Sequence, residues 1–78
     1  MSNSTIQRLI GLAADRFQRD ATTLKASDDF FEALGIDSLQ ALDLLTDLEE
    51  AFEVEIPDYE LQGMNTFVQL AEVIERRL

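Results

Sequence analysis

Apolar residues recur at helical spacing in three separate stretches of this chain, and nowhere does a two-residue strand period compete with them. In the first stretch, Ile6, Leu9, Ile10, Ala13 and Phe17 fall along one stripe of an amphipathic helix opened by Ser4 or Thr5. In the second, Leu39, Leu42, Leu44, Leu45, Leu48 and Phe52 mark a helix from about Ser38 to Phe52. There Glu53-Val54-Glu55-Ile56-Pro57 turns the chain away, because a proline disfavours helical geometry before it. In the third, Phe67, Leu70, Ala71, Ile74 and Leu78 follow a cap at Asn65 or Thr66, and Arg76 and Arg77 complement the helix dipole. Asp58 fits the N-cap of a short helix closed by Gly63. The expected fold is all-α: a small four-helix bundle of three longer helices and one short one, in a single domain over residues 1–78.

From about Arg19 to Asp37 the periodicity dissolves, yet Leu24, Phe30, Phe31 and Leu34 remain. This long connection has to be pinned to the core by those side chains, and long connections in compact domains are often functional. With 78 residues and no cysteine, the core works without staples, a situation that leaves only about 3–5 kcal/mol of stability. The 46% hydrophobic content is too high for a disordered acidic tail, even at a net charge of −10. No window nears the ~18 apolar residues of a membrane span, and the start lacks the plan of a signal peptide, so a cytoplasmic protein without membrane insertion is expected. Sixteen acidic residues against six basic ones repel nucleic acid and steer basic protein surfaces toward the chain.

Ser38 stands where the loop gives way to the second helix, and two roles compete for it. It could simply cap the helix. Asp37 is the better N-cap, since Gln40 then falls at N3 and can reach back in a capping box, leaving Ser38 at N1 with its hydroxyl facing solvent. An anion on that hydroxyl would sit at a helix N-terminus, favoured by about 0.3–1 kcal/mol and opposed by the charge of Asp37. Nucleophilic catalysis is set aside: the chain has no histidine, its only lysine is Lys25, and Gly-x-Ser-x-Gly is absent. A phosphate-binding loop is set aside too, because Gly11, Gly35 and Gly63 are scattered; Gly35 supplies permissive backbone before the helix.

Gln40, Asp43, Asp47 and Glu50 share one face of the second helix, widened by Glu49 and Glu53. Such a face is ordinarily solvated surface. Here no Lys or Arg occurs between Lys25 and Arg76, so local compensation is missing and the repulsion is tolerated. A calcium loop is ruled out by spacing, which leaves at most weak divalent sites around Asp37, Asp43, Glu49, Glu53 and Glu55.

The stretch Leu34-Gly35-Ile36-Asp37-Ser38-Leu39, the acidic helix after it and Glu55-Ile56-Pro57-Asp58 together resemble the prosthetic-group segment of acyl carrier proteins. In that family the serine of a Gly-x-Asp-Ser-Leu motif carries 4'-phosphopantetheine. The likeness spans nearly the whole chain and points to a free-standing bacterial-type member, a monomeric phosphoprotein of lipid metabolism. It implies a non-catalytic carrier, itself the substrate of a phosphopantetheinyl transferase. The arm comes from coenzyme A, attaches at Ser38 and holds fatty acyl or polyketide-type intermediates as thioesters. It further implies that Asp37, Leu39, Gln40, Asp43, Asp47 and Glu50 dock basic patches on the transferase and acyl-processing enzymes. Leu44, Leu48, Ile56, Leu61, Met64 and Ile74, together with Phe52 an ordinary core by spacing, would also admit an acyl chain. The chain departs from the family at Gln40, where an acidic residue is common, at Tyr59, where a polar one is frequent, and at Phe67, often valine. These departures leave open a dedicated carrier of specialised lipid, polyketide or amino-acyl cargo. A small helical adaptor that binds a basic partner without a prosthetic group is the competing class, and Ser38 discriminates the two.

Overall fold

A computed structural model describes residues 3–78. Four α-helices follow in order: α1 (Asn3–Phe17), α2 (Phe30–Leu34), α3 (Ser38–Phe52) and α4 (Phe67–Arg77). A 3-10 turn at Ala21–Thr23 and a 3-10 helix at Asp58–Gly63 lie between them. The fold is all-α, as the three periodic stretches require. The short helix expected after Pro57 is present but wound as 3-10, with Pro57 rather than Asp58 in the cap position and no side-chain cap bond. A tighter winding suits a brief connector.

The α2 helix was not foreseen, because five residues are too few to show a period. Its punctuation is local. Asp29 caps it by accepting from the N–H groups of Phe31 and Glu32, and Gly35 ends it in the left-handed region at φ 67°. The N–H groups of Gly35 and Ile36 then return to the carbonyls of Glu32 and Phe31, closing the C-terminal motif that favours glycine. Arg19 Nε donates to the Leu34 carbonyl at 3.1 Å, tying the end of α1 to the end of α2.

The connection from Arg19 to Asp37, which contains α2, is pinned as expected by buried Leu24, Phe30 and Leu34, with Phe31 half-buried. Backbone bonds add to this: Phe30 N donates to Asn65 O, Phe67 N to Asp28 O and Val68 N to Ala26 O. Phe30 stacks on Phe31 with centroids 4.6 Å apart and leans on Phe67 at 6.0 Å. One buried cluster unites Leu9 and Ala13 of α1, Leu44 and Leu48 of α3, and Phe67, Leu70 and Ile74 of α4 with that connection. Each of the leucine, isoleucine and phenylalanine side chains taken from water contributes about 1.5–3 kcal/mol.

Two sequence expectations, the opening of the first helix and the place of Leu78 in the last stripe, need correction. The first helix begins at Asn3, so Ser4 and Thr5 lie inside it rather than before it. Thr5 is buried, and its hydroxyl donates to Glu75 Oε1 at 2.7 Å. Leu78 is exposed beyond the last turn of α4. Leu39 is 74% exposed despite its apolar character; at 100° per residue it lies about 160° from the centre of the buried stripe formed by Ala41, Leu44, Leu45, Leu48 and Phe52.

Candidate functional site

The short run from α2 into α3 sets the position of Ser38. Gly35 reverses the chain, and two residues later Asp37 caps α3. Asp37 Oδ1 accepts from Gln40 N at 2.9 Å, and Gln40 Oε1 accepts from Asp37 N at 3.1 Å. The reciprocal capping box expected from Asp37 and Gln40 is therefore present. Ser38 takes the first helical position, exposed, and its hydroxyl forms no hydrogen bond among the described residues. Beside it lies a shallow depression lined by Phe31, Ser38, Leu42, Asp58, Leu61 and Gln62, between α2, the start of α3 and the 3-10 helix.

On the other side of α3, Gln40, Asp43, Asp47 and Glu50 line an open groove against Leu12, Asp15, Arg16 and Phe17 of α1. The face is less bare than its sequence implied. Arg16 Nη1 donates to Asp47 Oδ2 at 2.6 Å, and Arg16 Nη2 stands 3.9 Å from Asp43 Oδ2. Near the far end of α3, Arg8 donates to the Ala51 carbonyl at 2.6 Å and lies 4.6 Å over the Phe52 ring. Glu49 accepts from the Ile56 N–H.

The sequence matches the family described as "Phosphopantetheine attachment site" over residues 7–74. The chain belongs to that family. Phosphopantetheine-attachment domains are generally carriers rather than catalysts, and the domain is the attachment site for a covalently bound 4'-phosphopantetheine. The match takes in α2 and α3 whole and most of α1 and α4, so the resemblance of the Asp37-Ser38-Leu39 segment rests on the full fold and not on a short motif alone.

Within this carrier the expected docking residues stand together only in part. Gln40, Asp43, Asp47 and Glu50 share the α1–α3 groove, while Asp37 and exposed Leu39 lie at the head of α3. Of the six residues expected to admit an acyl chain, Leu61 lines the depression beside Ser38. Leu44, Leu48, Ile56, Met64 and Ile74 are packed in the core. Phe31 and Leu42, which line the same depression, were not singled out for it; Leu42 follows Ser38 by one turn of α3, while the position of Phe31 depends on α2, which has no periodic signature. Among the described residues no three carboxylates gather closely enough to hold a cation, so the weak divalent sites expected around Asp37, Asp43, Glu49, Glu53 and Glu55 have no preformed cluster. No helix among the described residues is long and apolar enough to cross a membrane.

Proposed function

We propose that Ser38 is the attachment residue and that the chain carries acyl intermediates, fatty or polyketide-type, between enzymes. The observation that carries this reading is the division of labour at the head of α3. Asp37 and Gln40 satisfy the helix start between them, so Ser38 is relieved of capping and its exposed hydroxyl is available for a phosphodiester. The group fits the place: the N–H groups of Ser38 and Leu39 open the helix without use by the capping box, and such groups favour an anion. When bound, the arm supplies a terminal thiol that holds cargo as a thioester on a long flexible tether, raising its effective concentration at each partner.

The chain's own residues present that tether. Leu39 offers an apolar contact at the head of α3, while Asp43, Asp47 and Glu50 offer carboxylates to lysines and arginines of the transferase and acyl-processing enzymes. Electrostatic steering gives fast, salt-sensitive encounters, and weak contacts let go quickly. The depression lined by Phe31, Leu42 and Leu61 supports a resting place for the arm or for the first part of an acyl chain. Leu44, Leu48, Ile56, Met64 and Ile74 are the deeper apolar residues that a longer chain would have to part. A monomer in the cytoplasm, where coenzyme A can supply the arm, completes the reading.

The test is the intact mass of the protein before and after incubation with coenzyme A, magnesium and a broad-specificity phosphopantetheinyl transferase. The parent is expected to gain one phosphopantetheinyl group, and Ser38→Ala none. Loading of Ser38→Ala would move the site elsewhere. No gain in the parent, under conditions that modify a control carrier, would hand the acidic face to an adaptor role without a prosthetic group.

A further inference from the structure

The groove between α1 and α3 already holds a cation of its own. Four of the five arginines spend their donors on other groups than its carboxylates: Arg8 on the carbonyl of Ala51 at the groove's far end, Arg19 on the Leu34 carbonyl, and Arg76 and Arg77 on Glu60. Arg16 alone reaches the carboxylates of the groove, with 2.6 Å to Asp47 Oδ2 and 3.9 Å to Asp43 Oδ2. At 2.6 Å Asp47 Oδ2 is engaged in a charge-assisted hydrogen bond. A lysine or arginine arriving from a partner protein gains the full attraction of Asp47 only after Arg16 has let go.

The pair is well placed for such an exchange. The Arg16 and Asp47 side chains are 35% and 34% exposed, so water and a partner both reach them, and a pair so exposed is weak. Nor does one guanidinium fill the groove: Asp15, Asp43, Asp47 and Glu50 line it against Arg16 alone, so it stays negative and receptive. We propose that Arg16 is a built-in competitor for the basic side chain of the partner protein, held on Asp47 in the free carrier and displaced when the partner docks. This rests on the reading of Asp43, Asp47 and Glu50 as docking residues. It follows that docking is weaker than the carboxylates alone would make it, and that Arg16 retakes Asp47 as the partner leaves, which favours rapid release. One ion pair is lost for each one gained there, so the salt dependence of docking is blunted.

The experiment compares the parent chain with Arg16→Gln, Arg16→Lys, Lys25→Gln, Asp43→Asn, Asp47→Asn, Glu50→Gln and the Arg16→Gln/Asp47→Asn double variant, all in the unmodified form. Binding to a phosphopantetheinyl transferase is measured by calorimetry, and KM and kcat of loading are measured at two ionic strengths, after thermal melts confirm folding. Lys25→Gln makes the same change in net charge outside the groove and so isolates general steering. The expected result is a Kd and KM about two- to fivefold lower for Arg16→Gln, the worth of an exposed ion pair. Its kcat should be unchanged and its salt slope steeper, while Arg16→Lys stays close to the parent. Against an Asp47→Asn background the gain should shrink to that of Lys25→Gln. A gain for Arg16→Gln no larger than that of Lys25→Gln, or a loss, overturns the competitor role; the docking reading survives that result if Asp43→Asn and Asp47→Asn still weaken binding. If Asp43→Asn, Asp47→Asn and Glu50→Gln all leave Kd unchanged, the docking reading falls and the competitor falls with it.

Discussion

The two ends of α3 are built on opposite plans. At its head, Asp37, Ser38, Leu39 and Gln40 are all exposed, and the bonds that hold the turn span three residues. At its far end Leu48 and Phe52 are buried, Arg8 binds the Ala51 carbonyl from 43 residues away, and Glu49 holds the Ile56 N–H. A turn closed by its own neighbours leaves its outward side chains uncommitted to the fold. An end closed by distant partners cannot change without disturbing them. The head of α3 can therefore accept a modification and a succession of partners while the other end keeps the bundle together.

Substitutions break or sharpen that contrast in order of size. Leu48→Ala empties a fully buried position of the anchored end and should cost about 2–5 kcal/mol, most of what a core of this size supplies. Urea titration should find the variant largely unfolded near room temperature. Asp37→Ala removes one member of the capping box and should cost about 0.5–2 kcal/mol, read as a lower melting midpoint. A cost equal to that of Leu48→Ala would show that the head of α3 is not locally held. Glu53→Gly replaces a residue at φ 57° by one for which the left-handed region is free of strain, and calorimetry should record a gain of about 0.5–1 kcal/mol. A loss would mean that the Glu53 side chain anchors this end too. Ser38→Ala, the variant that tests the proposed attachment residue, should change stability by no more than about 0.5 kcal/mol.

What the sequence made legible follows the same division. The capping box and the three helical stripes depend on residues a few positions apart and are readable in the sequence, whereas Gly35, read only as permissive backbone before α3, proves to close α2 in the left-handed region. The pairing of Arg16 with Asp47 spans 31 residues, and that of Thr5 with Glu75 spans 70; no local pattern announces either. That is why the acidic face read as uncompensated and Thr5 read as a cap. Likewise α2 was hidden because Phe30, Phe31 and Leu34 stand in a run too short to show a period, and without α2 the floor beside Ser38 could not be drawn. Leu39 keeps apolar company along the sequence but stands across the helix from the stripe that is buried.

Glu60 grips both Arg76 and Arg77, at 3.5 and 3.2 Å, and it belongs to the 3-10 helix that supplies Asp58, Leu61 and Gln62 to the depression beside Ser38. The last turn of the chain is thus a stay rope for one wall of that depression. Replacing Arg76 and Arg77 with Gln would slacken the wall beside Ser38, while the other tie of that turn, from Thr5 of α1 to Glu75, would stay in place.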